Sequence, residues 1–310
     1  MPALRAAWAE LAEGSGNLFA TPEWLLTWWA HLGEGDLEVW TAGEDATPRA
    51  ILPLKLHAGE LRFLGHGAGD RLGPVAAPAD AAAAAGALGT LLRDAPMKWD
   101  VFVGDDLPGA IGWTELTGAR VVRRTPSPVL DLHGLDWAGF LASRSAGLRA
   151  QARRRTRRVA AEHRSVFRHV EDATSFERDL DTFFALHAAC WGERADPAFS
   201  RRARAFHTEF AALALERGWL RLHVLELDGR PAASLLNFRF GGAEWFYQGG
   251  RDPAFGRESV GFVLHLHAIR EAIADGLDAY RMLRGGEPYK VRLATRDEGV
   301  VTVRRERTGR

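Results

Sequence analysis

Hydrophobic positions recur along this chain with two periods, and the places where the period changes mark its elements. Trp24, Leu25, Trp28 and Trp29 fall three and four residues apart, which predicts a helix over 23–32 whose broad apolar face belongs in the core. Thr21 and Pro22 supply an N-cap and a proline at the first helical position. A shorter helix over 3–12 precedes it. Apolar runs at 37–42, 50–56 and 61–65 predict strands, with turns at 45–48 and 58–59. A helix over 79–93 and strands at 100–103 and 120–132 follow. Pro126 and Pro128 lack N–H donors and confine the last strand to a sheet edge or a strand start.

The second part begins with helices at 136–141 and 144–163, a strand at 165–170, and helices at 175–191 and 201–217. Strands at 219–227 and 232–240 are joined by Asp228-Gly229, a strong hairpin dipeptide. From Ala243 to Arg292 the chain reads aromatic strand, glycine-containing loop, helix, strand and polar loop. Phe262, Leu266, Ile269 and Ile273 carry that helix, and Asp275-Gly276 ends it. Arg284, Glu287, Tyr289 and Lys290 then crowd four functional side chains onto one loop. A final strand is predicted at 300–304.

Composition changes this picture in a few places. With 310 residues, 46% hydrophobic and 26% charged, the chain has the make-up of a soluble globular protein. Its formal net charge is zero, so no global field draws in nucleic acid or membrane and any anion site must be local. The stretch 144–164 is the exception. There Arg144, Arg149, Arg153, Arg154, Arg155, Arg157, Arg158 and Arg164 meet only Glu162 as a nearby acid. Like charges at i, i+4 repel. Such a helix either meets an anion, such as tRNA or another polyanion at Arg149–Arg158, or splays its arginines into water over packed stems. The single Cys190 excludes an internal disulfide and fits a reducing compartment. With no signal-like start and no run near the roughly 20 apolar residues a bilayer span needs, a cytoplasmic protein without a membrane span is expected.

Several chemistries drop out. No G-x-x-x-x-G-K-[ST] phosphate loop and no G-x-S-x-G elbow is present. His265 and His267 lie two apart on one helix and point apart, and no cysteine pair exists, so no metal is expected. What remains is a loop opening a helix at Ser259–Phe262, where free N–H groups and the positive end of the dipole suit phosphate.

These features resemble the C-terminal half of a GNAT acyltransferase of the FemAB-like and CelD/BcsL-like branch. The likeness rests on Asp228–Ser234, Tyr247, Asp252-Pro253, Ser259-Val-Gly261 and Arg284-Gly-Gly-Glu-Pro-Tyr-Lys290, with Phe19–Trp24 and Ile51–Leu54 upstream. It implies an α/β (mixed α+β) class with two tandem GNAT-like domains, 1–135 and 136–310, each a mostly antiparallel central sheet flanked by helices. It implies acyl-CoA, first acetyl-CoA, as co-substrate, and an amine acceptor that is a small molecule or a cell-envelope precursor.

By the same resemblance the strand before the loop splays from its neighbour to admit the donor. The backbone of Ser259, Val260, Gly261 and Phe262, with Arg257 just ahead, would hold its pyrophosphate. Arg257-Glu-Ser-Val-Gly-Phe262 keeps glycine only at the fifth position of the usual [QR]-x-x-G-x-[GA] pattern. Lys290 matches a lysine that contacts phosphates, and Glu287 would take the amine proton if buried. Tyr247 either reaches the acyl carbonyl or leaving group, or packs in the sheet. Asp70 either faces the cleft between the halves or holds its own turn. His187 and Trp191, one helical turn apart, and Arg284 and Tyr289 would meet substrate. For His187 the core, and for Arg284 a structural pair with Glu287, are the other readings. An aminoacyl-tRNA-dependent transferase and a non-catalytic scaffold in polysaccharide or envelope biosynthesis stay open beside the acyl-CoA enzyme.

Overall fold

In the computed structural model, which describes residues 2–44, 47–94, 96–170, 172–191 and 201–307, the elements follow the sequence pattern closely. The first half runs α1 (Pro2–Ser15), α2 (Pro22–Leu32), β1 (Asp36–Glu44), β2 (Thr47–His57), β3 (Glu60–Phe63), β4 (Val75–Ala76), α3 (Ala81–Asp94), β5 (Val101–Pro108), α4 (Trp113–Thr117), β6 (Arg120–Thr125) and β7 (Pro128–Asp131). The second runs α5 (Trp137–Ser143), α6 (Ala146–Glu162), β8 (Ser165–His169), α7 (Ala173–Trp191), α8 (Arg201–Glu216), β9 (Leu220–Leu227), β10 (Arg230–Phe240) and β11 (Ala243–Arg251). It closes with α9 (Val260–Ala274), β12 (Ala279–Arg281), α10 (Pro288–Leu293), β13 (Arg296–Asp297) and β14 (Val300–Glu306). The turn expected at 45–48 lies partly outside the described residues.

Local chemistry explains the boundaries. Thr21 Oγ1 accepts from the Trp24 N–H at 3.2 Å and starts α2. Asp228 and Gly229, with φ of +54° and +79°, make the tight turn between β9 and β10.

Two seven-stranded sheets result. The first has the order β1-β2-β3-β5-β14-β6, with β4 added on β2; the second has β13-β7-β12-β11-β10-β9-β8. Every strand pair is antiparallel except β3 with β5 and β11 with β12. The run 120–132 is therefore not one strand. It breaks at Pro126, so that β6 stays in the first sheet and β7 crosses to pair with β12 and β13. In exchange β14, the last strand of the chain, inserts between β5 and β6. A cut between 135 and 136 thus does not separate the two sheets.

The core is continuous across the halves. Trp24 is fully buried, with ring centroids 4.8 Å from Phe19, 4.7 Å from Phe210 and 5.4 Å from Tyr247. One cluster joins α1 and α2 to α7, α8 and the near face of the second sheet, and another lies between its far face and α5, α6 and α9. No described helix is long and apolar enough to cross a membrane.

Candidate active site

The site begins as a defect in sheet pairing. The β10–β11 register slips between Leu236 and Asn237, leaving Tyr247 as the extra residue of a bulge that bends β11. On its other side β11 pairs with β12 only at Ala243, Glu244 and Trp245. Beyond that β12 follows β7 instead: Met282 N–H donates to Pro128 O at 3.0 Å and Gly285 N–H to Pro126 O at 2.8 Å. The two parallel strands part, and a cavity of 820 Å³ opens in the wedge. Phe246 to Arg251 form one wall, Leu283 to Lys290 another, and Gly67, Ala68 and Asp70 of the first half a third.

The start of α9 faces the same cavity through Ser259, Val260, Gly261 and Phe262. Ser259 takes a left-handed conformation, φ +57°, and no side chain caps the helix. Its first N–H groups lack intrahelical partners and sit at the positive end of a 15-residue dipole. Gly261 keeps the approach open, since an added Cβ would meet only Arg251 Cδ at 3.9 Å. Arg257 is not on the cavity wall; its carbonyl accepts from Arg155 Nη1 at 2.5 Å and ties the loop to α6.

Asp70 and Arg284 close the floor. The Asp70 carboxylate is buried, with Oδ1 accepting from Arg71 N–H at 2.7 Å and Oδ2 from Arg284 N–H at 2.5 Å. Burial raises its pKa, and the nearby Arg284 guanidinium offsets part of that rise. Arg284 Nη2 donates to Gly67 O at 2.9 Å and Nη1 lies 3.4 Å from Asp106. Both readings of Asp70 hold at once: it faces the cavity and also fixes its turn. Arg284 is a clamp, but to the first half rather than to Glu287.

Tyr289 and Lys290 do not lie on a loop as expected. Pro288 starts α10, and both residues ride on its first turn. Lys290 Nζ donates to Arg284 O at 3.0 Å and pairs with Glu287 at 3.2 Å. Burial lowers its pKa, against the opposing pull of Glu287. Glu287 is about half exposed at the rim, so the burial on which its general-base role was conditioned is absent. Tyr247 lines the wedge with its hydroxyl donated to Ala68 O at 3.1 Å, and its ring packs on Trp24 and His207. His187 is buried behind the wall, where its backbone N would stand 2.3 Å from a Cβ on Gly250. The Trp191 side chain lies outside the described residues, whereas its neighbour Cys190 is half-buried and lines the cavity.

Sequence reasoning missed His265. It lies on the cavity wall, 5% exposed, with its ring 4.4 Å from Phe246 and 5.4 Å from Tyr289. Beneath it runs a row of buried polar groups. Asn237 Nδ2 donates to Glu244 Oε1 at 2.7 Å and to Tyr280 Oη at 3.2 Å. Tyr280 therefore gives its own proton to His265 Nδ1, 3.1 Å away, and the imidazole carries its proton on Nε2. Burial, with the nearby Lys290 charge, pushes the His265 pKa down to about 3, so the ring stays neutral. The available signal was a histidine at a buried position of an apolar helix, a weak one.

The arginines of α6 divide. Arg149 and Arg155 donate to backbone carbonyls and Arg158 pairs with Glu162 at 3.0 Å. Arg153, Arg154 and Arg157 are exposed, and two of them border a second, apolar cavity of 400 Å³ between α5, α6 and α9.

Residues 146–291, which include the wedge, the start of α9 and most of the polar row, match the family model for the acetyltransferase (GNAT) domain. That segment is similar to a GNAT-family domain. Solved structures extend this likeness over nearly all of it. FemX shares 11% identity at a TM-score of 0.66, over 97% of this chain and 95% of that one. The C-terminal domain of an Agrobacterium fabrum protein assigned as a lysylphosphatidylglycerol synthetase shares 12% at 0.65, over 96% and 90%. A tandem GNAT protein from the clavulanic acid biosynthesis pathway shares 14% at 0.53, over 100% and 95%. At such identities the likeness shows the fold alone, and that fold is the tandem GNAT architecture. No curated protein matches the sequence.

Proposed function

We propose that the GNAT wedge transfers an acyl group from acyl-CoA, with acetyl-CoA the first donor to test, to the amine of a small-molecule or cell-envelope precursor in the cytoplasm. The observation that carries this reading is the parting of β11 from β12 beside the uncapped start of α9. The residues present fit the donor. Three consecutive backbone N–H groups, at Val260, Gly261 and Phe262, suit a pyrophosphate, and the wedge has room for a pantetheine arm. When bound, the donor supplies an activated carbonyl and a thiolate leaving group.

The chain's own part is orientation and electrostatics. His265, neutral and protonated on Nε2, donates toward charge developing on the acyl oxygen without needing to change its protonation state. The amine proton leaves to solvent at the open rim, where Lys290 pairs with Glu287 and donates to the Arg284 carbonyl. Tyr247 reaches a leaving group only by giving up its bond to Ala68.

Thermal unfolding with acetyl-CoA and with CoA tests this. One-site binding at a hundredfold excess over Kd stabilises by about 2.7 kcal/mol. The expected result is a clear shift that Gly261→Trp abolishes; no shift with any acyl-CoA overturns the donor assignment. The exposed Arg153, Arg154 and Arg157 favour one second reading, an aminoacyl-tRNA donor. In that case tRNA binding weakens steeply with salt as counterions are released, and replacing all three arginines by alanine removes it.

A further inference from the structure

We propose a divalent transition-metal site formed by His169, His223 and Glu271, at the far end of the polar row from His265. His169 on β8 and His223 on β9 are direct partners in the antiparallel ladder, so both rings leave the sheet on one face. Over that face α9 lays Glu271. One ligand atom from each residue lies within 4.8 Å of the others. Glu271 Oε2 is 3.5 Å from His223 Nδ1 and 3.8 Å from His169 Nδ1. A tetrahedral ion with bonds of about 2.0–2.2 Å sets its ligand atoms about 3.4 Å apart, so slight closure completes the set.

His223 carries the argument. Its side chain is fully buried, and its Nε2 lies 3.1 Å from Glu244 Oε1. Arg239 holds the other oxygen of that carboxylate at 3.0 Å. The ring proton of a neutral His223 therefore belongs on Nε2, which leaves Nδ1 with a lone pair. That nitrogen is buried without a hydrogen-bond partner, and so is the Glu271 oxygen it faces. A lone pair and a carboxylate oxygen at this distance repel unless a cation, either a proton or a metal ion, lies between them, and at 3.5 Å the two atoms make no hydrogen bond. The converging His169 nitrogen makes that cation a metal ion with two nitrogen ligands and one oxygen, a set that suits zinc-type ions.

The surrounding groups already have the form of an outer shell. Glu244 orients His223 through its far nitrogen, and His267 Nε2 holds the second oxygen of Glu271 at 3.1 Å. Side-chain exposures of 28% for His169 and 30% for Glu271 leave an entry path and a fourth position for water. The ion joins β8 and β9 to α9. The sequence offered no spacing motif, because the three residues come from three elements and only the fold brings them together.

Glu162, His163 and Glu258 form a second cluster of ligand type, but His163 Nδ1 is 2.7 Å from Asp228, and this cluster serves as the control. The full chain, freed of metal with a chelator, is titrated with Zn²⁺ by calorimetry and with Co²⁺ by visible absorption. One equivalent is expected, with a raised Tm. Glu271→Gln and His169→Ala, both at partly exposed positions, are expected to keep the wild-type circular dichroism and bind at least tenfold more weakly, while Glu162→Gln binds as wild type. Absence of binding, binding unchanged in both site variants, or loss only in Glu162→Gln overturns the proposal. The readout is metal binding alone and does not depend on acyl transfer.

Discussion

At the scale of single residues the cavity is defined by what each side chain is already bonded to. Arg284 and Lys290 were both singled out by their crowding on one segment. The partners of Arg284 were not, because Gly67, Gly69 and Asp70 lie more than two hundred residues away in sequence. His265 was set aside for the opposite reason: sequence shows its spacing from His267 but not the Tyr280 hydroxyl that fixes its tautomer. If His265 donates to the developing charge, His265→Phe lowers kcat about 10²–10³-fold, as loss of an oxyanion donor does elsewhere, and moves KM little. Steady-state kinetics on the acyl-CoA found to bind would show it. Since the pKa lies near 3, His265 contributes no inflection to the pH–rate profile between pH 5 and 8.

At the scale of elements, hydrophobic period and capping chemistry located the helices and most strands, because those signals are local. The misses lie where tertiary pairing decides. Residues 277–283 read as a seven-residue strand, yet only 279–281 pair, since the chain turns from β11 toward β7 and Leu283 takes φ +58°. Two glycines of the wedge separate packing from binding. At Gly250 a Cβ would meet the His187 backbone at 2.3 Å, so Gly250→Ala must push α7 off β11. It is expected to cost about 1–3 kcal/mol in a urea titration, the range for overpacking. Gly261→Ala meets only Arg251 Cδ at 3.9 Å and is expected to leave Tm unchanged within the error of the scan, whereas Gly261→Trp removes donor binding.

At the scale of the whole molecule the halves are tied by exchanged strands and by charge. Removing residues 299–310 takes β14, with its buried Val301 and Val303, from between β5 and β6, so the truncated chain is expected to lose its cooperative thermal transition. Glu298 makes a second tie, pairing with Arg71 of the first half and with Arg281 at 2.8 Å. Burial alone would raise its pKa, but Arg71 and Arg281 hold it at about 2, against 4.5 when free. Its folded pKa is the lower one, so its stabilising effect is complete above pH 4.5 and is lost as pH falls from there toward 2. Urea midpoints at pH 7 and pH 3 should therefore differ less in Glu298→Gln than in wild type. A tandem α/β architecture, a core built on Trp24 and a helix start suited to phosphate were all determined by the sequence alone, through periodicity, local turn chemistry and family resemblance. Which strands change sheets, where β11 leaves β12, and which distant groups meet around His265 and His223 were decided only by the tertiary structure. Each depends on contacts between residues far apart in the chain, and local propensity carries no record of them.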